Sequence, residues 1–503
     1  MSLTVRIARH SGIYVVANVL QRGTAFVLLP LYTHVLTPAE YGTIAIVTAL
    51  AGILAVLLPI SINGAITRFY FEYREEPEQL RSFWGAILAF MLLSCGLFGL
   101  LLLVFGGAFF EWALGDVAFW PFVAIGIATA MAQPFFQTVQ TIFQTREQPL
   151  HYAAVSGGHF LLTLLLTIYL ILGEGWGAAG PLFAMFVSSI LFAAGGLYAL
   201  RRNFRLSLHP AYLRAALAYV LPQIPHGLSS LALTTTDRFL LNGLVSLAAV
   251  GIYNIAALFS LAVDLICQSV NKAFMPMSMR VMQSADPAEL AQLRDAGLAM
   301  VASFCVIGAS LTVFSNEIVG FIAGVAFAGA ATYVPFLAFA GVAGGINYVL
   351  VNVLFFERAA AKYIPVPTIT GGIASIVLNY ILIVRLGPLG AAIGTMAAQL
   401  VMTLATGLIA ARFEHVRWPY GRFAILFVVA FGTAAALAWF APFGSLGNLA
   451  LRAGGLFLIV MLLSGIAWSA PLKLLRFGLS LGGAGHRFLV ARGGRNVFPE
   501  DPE

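Results

Sequence analysis

Of the 503 residues, 60% are hydrophobic and only 9% are charged, and the mean hydropathy is +0.94. A soluble domain carries about 25% charged residues and cannot hide so much apolar surface. The net charge of +7 comes from basic residues lying between apolar runs, a mark of membrane topology instead of a nucleic-acid footprint, so no nucleic-acid partner is expected.

Runs of about twenty apolar residues recur along the whole chain, each long enough to cross a hydrocarbon core of about 30 Å. They do not alternate polar and apolar as outer-membrane strands do. The expected fold class is an all-α polytopic membrane protein. Met1 to Leu20, with Arg6, Arg9 and His10, begins like a signal peptide. No small-residue cleavage site follows and the apolar run reaches Leu36, so this stretch reads as the first span. Fourteen spans are expected, near 11–35, 40–63, 82–106, 117–140, 151–172, 177–200, 213–237, 244–270, 296–316, 330–356, 363–384, 389–411, 423–441 and 448–470. Cys95, Cys267 and Cys305 all fall inside apolar segments, which implies neither a disulfide framework nor a metal cluster.

All but four of the 27 Lys and Arg residues fall on one side of this arrangement, the exceptions being Arg22, Arg238, Arg385 and Arg452. The positive-inside rule then puts both termini in the cytoplasm of a bacterial inner membrane. The second half of the chain echoes the first. Thr37 to Gly42, opening span two, matches Ser246 to Gly251, opening span eight, at an offset of 209. Arg146 matches Arg358 at 212, and Gly177-Ala178-Ala179 matches Gly390-Ala391-Ala392 at 213. Six spans per unit preserve orientation, so the expectation is two parallel repeats forming two lobes around a central cavity. The lobes are expected at 1–205 and 206–412, followed by an extra helix pair at 413–472 and a basic tail at 473–503. That tail, with Lys473, Arg476, Arg487, Arg492 and Arg495 among Leu and Phe, reads as an inner-leaflet segment or a solvated basic end.

The three lysines fail the phosphate-loop pattern, and no HExxH, CxxC or Asp-x-Asp occurs. Outward connections are too short for a catalytic domain. The chain therefore reads as a transporter and not an enzyme, with no cofactor and no metal.

Ionisable groups at bilayer depth are costly and usually face a cavity or a partner. On span one, Tyr14, Asn18, Gln21 and Arg22 share a helical stripe. At 1.5 Å per residue, Arg22 lies about 16 Å deep. Tyr219, Gln223, His226 and Ser230 form a similar stripe on span seven, which is expected to end outside at Asp237-Arg238. On span eight, Asn254, Leu261, Asp264 and Gln268 keep the spacing, with Asp264 about 10 Å deep. Asn18, Gln21, Arg22, Gln223 and His226 are the candidate substrate-binding residues. The planar fork of Arg22 suits an anionic lipid head. Asp264 would hold that arginine between cycles and take up a coupling proton; a static Arg22–Asp264 pair fixing helix packing is the alternative. His226 is a candidate proton switch or a packing histidine, and His159 reads as packing. Amides such as Gln133, Gln137, Asn347, Asn352, Asn379 and Gln399 suit a sugar path or helix–helix glue equally. Pro30, Pro59, Pro222 and Pro225 each remove a backbone hydrogen bond and are candidate gating kinks.

As a set these residues are familiar. Leu28 to Gly42 (LLPLYTHVLTPAEYG) resembles the opening of Wzx-type polysaccharide and O-antigen flippases, and Ala65 to Tyr70 their next segment. Tyr219-Val220-Leu221-Pro222, Asp237-Arg238 and Val250-Gly251-Ile252-Tyr253 follow in that family's order. Asn379 to Ile383 with Gly387 to Ala392 resembles its eleventh and twelfth spans, so the match covers most of residues 10–410. The resemblance implies the multidrug/oligosaccharidyl-lipid/polysaccharide exporter fold, an undecaprenyl-diphosphate-linked oligosaccharide as cargo, and alternating access. Expected partners are that cargo, membrane lipids, and a polysaccharide polymerase and glycosyltransferases. The extra C-terminal pair departs from the many members that stop near twelve spans. A lipid II flippase of the same superfamily has fourteen, but resembles a cluster of arginines where this chain shows one. Three further readings remain: a multidrug and toxin extruder, which would favour carboxylates in its first lobe; a scaffold of a glycan assembly complex; and a membrane glycosyltransferase or polymerase, disfavoured by the missing outer domain.

Overall fold

In a computed structural model, the described residues are 17, 20, 21, 23–413, 416–440 and 446–467. They are helical, with no strand among them. In chain order the helices are α1 (Gly23–Val35), α2 (Pro38–Leu57), α3 (Ala65–Tyr73), α4 (Pro77–Phe105), α5 (Gly107–Leu114), α6 (Ala124–Thr145), α7 (Pro149–Ile168), α8 (Ala179–Ala199) and α9 (Pro210–Val220). They continue as α10 (Ile224–Leu244), α11 (Leu247–Ser284), α12 (Pro287–Val313), α13 (Ser315–Ile322), α14 (Val334–Phe356), α15 (Pro365–Leu386), α16 (Pro388–Ala410), α17 (Tyr420–Phe440) and α18 (Leu446–Ile466).

Local chemistry places many of the boundaries. Pro38, Pro77, Pro149, Pro210 and Pro287 open their helices, where a missing N–H costs nothing. At α2 a capping box closes the first turn: Glu40 N–H donates to Thr37 Oγ1 at 3.3 Å, and Thr37 N–H donates to a Glu40 carboxylate oxygen at 2.9 Å. Pro59 stops α2, and the chain turns through Ile60 and Ser61, both in the left-handed region at φ 53° and 52°. That conformation is strained for a β-branched isoleucine, so the second expected span is a broken helix. Span seven is broken as well, into α9, a 3₁₀ turn at Leu221–Gln223 holding Pro222, and α10 with Pro225 in its first turn. Pro30 lies within α1 and does not end it.

Eleven described helices are long and apolar enough to cross a membrane. Three expected spans fall short of that mark: the first, of which Gly23–Val35 is described; the seventh, divided at its prolines; and the last, Ala450–Ile466. The span-seven segment also differs in extent, because α10 runs past Asp237-Arg238 to Leu244. Burial varies as a bilayer demands. Only 33% of the most apolar stretch of α4 is buried, and Leu92, Leu93, Leu97, Leu100 and Val104 project outward, whereas 72% is buried in α12 and in α14. With lipid as solvent, exposed leucines carry no penalty.

The chain divides into two compact units. The first comprises Met1–Phe259, Asn316–Leu337 and Pro365–Val401; the second comprises Ser260–Ser315, Ala338–Ile364 and Met402–Glu503. Within the first, α10 and α15 cross closely, with Ser375 Oγ donating to the Ala232 carbonyl at 3.3 Å and Gly372 lying beside Ser229. The same unit brings the two repeat-equivalent segments together. A Cβ on Gly42 would collide with the Leu247 carbonyl, and one on Gly251 with the Pro38 carbonyl. The contact is reciprocal: Gly42 and Gly251 are 209 residues apart, as are Pro38 and Leu247.

Candidate functional site

Polar side chains in a membrane helix must be satisfied internally, so where they gather is informative. Two such gatherings stand out, one in each unit.

In the second unit, Asp264 and Gln268 lie one turn apart on α11 and face Tyr348 of α14. Tyr348 donates its hydroxyl to Asp264 Oδ1 at 2.8 Å, Gln268 Nε2 donates to Asp264 Oδ2 at 2.7 Å, and Gln268 also reaches Tyr348 Oη at 3.0 Å. The ladder continues one turn on, where Asn352 Nδ2 donates to Asn271 Oδ1 at 2.9 Å, and Thr406 donates to Asn347 Oδ1 at 2.6 Å. Asp264 is half-buried. The tyrosine hydroxyl and the glutamine amide thus hold this carboxylate between α11 and α14. Asn347 and Asn352 bridge helices here, the gluing role that amides take in membranes.

In the first unit lies a cluster whose composition the sequence did not disclose. Asp237, which is 4% exposed, accepts from Tyr253 Oη at 2.7 Å and from Thr395 Oγ1 at 3.3 Å, joining α10, α11 and α16. Next to it Arg238 donates through Nε to Asn254 Oδ1 at 2.9 Å and through a terminal nitrogen to the Thr234 carbonyl at 2.7 Å. The adjacent Asp-Arg letters were visible, but placing them at the outer end of a span concealed their burial. Their partners are 16 and 158 residues away, and no local spacing encodes such a meeting.

The other candidates divide. Arg22 and Asn18 lie outside the described residues. Gln21 is half-buried and its carbonyl accepts from Thr24 Oγ1 at 2.8 Å. Gln223, in the 3₁₀ turn between α9 and α10, is exposed, and its side chain donates to the Tyr219 carbonyl at the end of α9 at 3.0 Å. His226 is half-buried one turn further along α10, and its buried Nδ1 finds no partner among the described residues. Gln223 and His226 therefore flank the junction of the 3₁₀ turn and α10 at the Pro222–Pro225 break. His159 is packed between rings, stacked on Phe136 with centroids 4.2 Å apart and bonded to Ser189 at 3.3 Å. Among the described residues no three His, Cys, Asp or Glu side chains are grouped to hold a metal.

The comparisons place this architecture. A family model described as polysaccharide biosynthesis protein matches residues 7–282. No curated protein sequence matches the chain. Among solved structures, the fold is similar to the lipid II flippase MurJ in an inward closed conformation, with TM-score 0.67 and 13% identity, over 92% of this chain and 99% of that one. It is also similar to an inward-facing multidrug resistance MATE family transporter of the MOP superfamily, with TM-score 0.64 and 15% identity, over 80% of this chain and 95% of that one. A MOP superfamily transporter from Pyrococcus furiosus matches with TM-score 0.55 and 15% identity, over 83% of this chain and 96% of that one. Each of these folds is that of a transporter or flippase. The chain belongs to the polysaccharide biosynthesis protein family, and its fold is that of the multidrug/oligosaccharidyl-lipid/polysaccharide exporter superfamily.

Proposed function

We propose that the chain is a flippase that carries an undecaprenyl-diphosphate-linked oligosaccharide from the cytoplasmic to the outer leaflet of a bacterial inner membrane, supplying O-antigen or exopolysaccharide assembly. The observation that carries this reading is the family match over residues 7–282 on a fold similar to a lipid flippase. Both termini are cytoplasmic in this reading. Residues 1–205 and 206–412 form the lobes, 413–472 add a helix pair, and 473–503 form a tail on the inner leaflet.

In the inward-open state Arg22 grips the diphosphate, because a guanidinium offers paired donors to paired oxygens. Asn18, Gln21, Gln223 and His226 contribute hydrogen bonds to the head and first sugar. Protonation of Asp264 neutralises the carboxylate inside the Tyr348–Gln268 cradle and shifts the balance between inward- and outward-open states, as differential proton affinity must. The helix breaks at Pro59 and at Pro222–Pro225, together with Pro30, absorb the bending.

Deletion of the gene traps lipid-linked oligosaccharide on the cytoplasmic face, read by its resistance to external glycosidase, and Arg22→Ala does the same at normal protein levels. Surface glycan made at the wild-type rate by the Arg22→Ala strain rejects the assignment of that residue. Normal surface glycan in the deletion strain rejects the function.

The coverage of 92% of this chain by the lipid II flippase fold favours a second reading, lipid II as cargo. Cell lysis on depletion, in place of loss of a surface polysaccharide, selects it.

A further inference from the structure

At the start of α4 and the end of α6, the first unit holds a cavity of about 400 Å³ lined by Arg74, Arg81, Arg146, Tyr70, Trp84 and Asn203 among others, and by no acidic side chain. That volume lies in the range of small-ligand sites. Four local features build it. Pro77 starts α4 immediately after α3, which brings Arg74 beside Arg81. The segment after α8 is strapped to α4, with Arg205 N–H donating to the Arg81 carbonyl at 3.0 Å and Gly85 admitting the Arg205 backbone where a Cβ would collide. Arg146, at the C-terminal end of α6, lies over the Trp84 ring, its guanidinium carbon 5.0 Å from the centroid. Tyr70 stacks on the same indole, with centroids 5.9 Å apart and an interplanar angle of 12°.

The charges are unevenly compensated. Arg81 pairs with Glu78 at 2.8 Å, and Arg74 meets Glu75 at 3.8 Å, both pairs well exposed to solvent. Exposed pairs of this kind are weak and exchange partners readily. Glu72 on α3 does not line the cavity and is engaged with Arg68 at 3.5 Å. Among the described residues Arg146 is in neutral company: the indole, and Asn203, whose amide oxygen, oriented by the hydrogen-bond pattern, accepts from both terminal guanidinium nitrogens at 2.7 and 3.1 Å. No carboxylate among the described residues pairs with it. Burial also pulls the Arg146 guanidinium below its usual range, the expected response to a charge lacking a counterion. Three guanidinium forks around one hollow, with an aromatic wall, are suited to a multi-oxygen anion attached to a less polar body.

We propose that this pocket binds a phosphate or diphosphate group, presented either by a bilayer lipid headgroup or by a free phosphate compound. None of the lining residues is among the proposed cargo residues, and the proposal does not depend on the cargo being an oligosaccharide lipid.

Two arms test it on the purified full-length chain. In detergent, isothermal titration with sodium pyrophosphate gives saturable binding. Arg74→Gln with Arg81→Gln, changes at exposed positions that leave the fold intact, weakens it by about tenfold or more, as loss of charged hydrogen bonds predicts. Arg146→Lys keeps the charge but loses the fork and weakens it by less, while Arg294→Gln on α12 leaves it unchanged. In nanodiscs of phosphatidylcholine with or without phosphatidylglycerol, native mass spectrometry counts retained anionic lipid on wild type and double variant. Pyrophosphate binding without selective lipid retention assigns the site to a free phosphate compound. Lipid retention that disappears in the double variant assigns it to a headgroup. If neither probe separates the double variant from wild type, the pocket is a packing feature of Arg146 on Trp84 and the proposal is wrong.

Discussion

Two membrane carboxylates, Asp237 and Asp264, are solvated by the same chemistry and exposed to different degrees. Each receives a tyrosine hydroxyl, from Tyr253 at 2.7 Å and from Tyr348 at 2.8 Å, and each takes a second uncharged donor, Thr395 or Gln268. Asp237 is 4% exposed and sits where three helices meet, while Asp264 is half-buried on one helix pair. The difference separates two uses of one costly group. A sealed carboxylate with fixed ligands is suited to pinning helices together, and the half-buried one is the position to which the proposed coupling role was assigned. Low dielectric raises the stakes in both places, because any partner removed leaves a buried polar group unmatched.

The largest effect expected from this contrast is on flux. Asp264→Asn keeps the hydrogen-bonding shape and removes the titrating charge, so lipid-linked oligosaccharide accumulates inside while protein level and thermal stability stay near wild type. Full transport by that variant would place coupling elsewhere. The next effect is on stability: Asp237→Ala strands Tyr253 and Thr395 in a buried setting and costs about 2–3 kcal/mol, read as an earlier melting transition in detergent. A melting curve like that of wild type would show Asp237 not to be a pin. Tyr253→Phe removes one of its donors and costs about 1 kcal/mol on the same assay. The smallest stability change belongs to Tyr348→Phe, at a half-open site where water replaces the hydroxyl; its effect shows as slower transport at unchanged melting temperature. Reversed effects of the two Tyr→Phe changes would exchange the roles of the clusters.

These clusters also show how far residue order can be read. The Asp264–Gln268 stripe was legible, since i and i+4 on a helix always share a face. Its partner Tyr348 was not, because 84 residues of chain separate them and apolar spans give no pairing code. Asp237 was legible as a letter and misplaced as a position: the span was ended at it, whereas α10 continues to Leu244. Low hydropathy in a helix packed against protein looks the same, from composition, as a loop. Pro59 and Pro222–Pro225 were readable as interruptions because a missing N–H is local chemistry. Pro30 shows the limit, since α1 passes through it.

The amino-acid sequence by itself determined the solvent and the helical secondary structure, and it raised the expectation of a doubled chain. Each follows from short-range physics: apolar runs long enough for a bilayer, backbone groups that lipid forces into helices, and matching segments near a constant offset. Only the tertiary structure decided which polar groups meet. It set Gly42 against Leu247 and Gly251 against Pro38, Tyr348 on Asp264, Tyr253 on Asp237, and three arginines around one hollow beside Trp84. Those meetings depend on which helix faces which, and in lipid that choice is made by close packing of small residues and by the need to satisfy each buried polar atom, neither of which has a period along the chain.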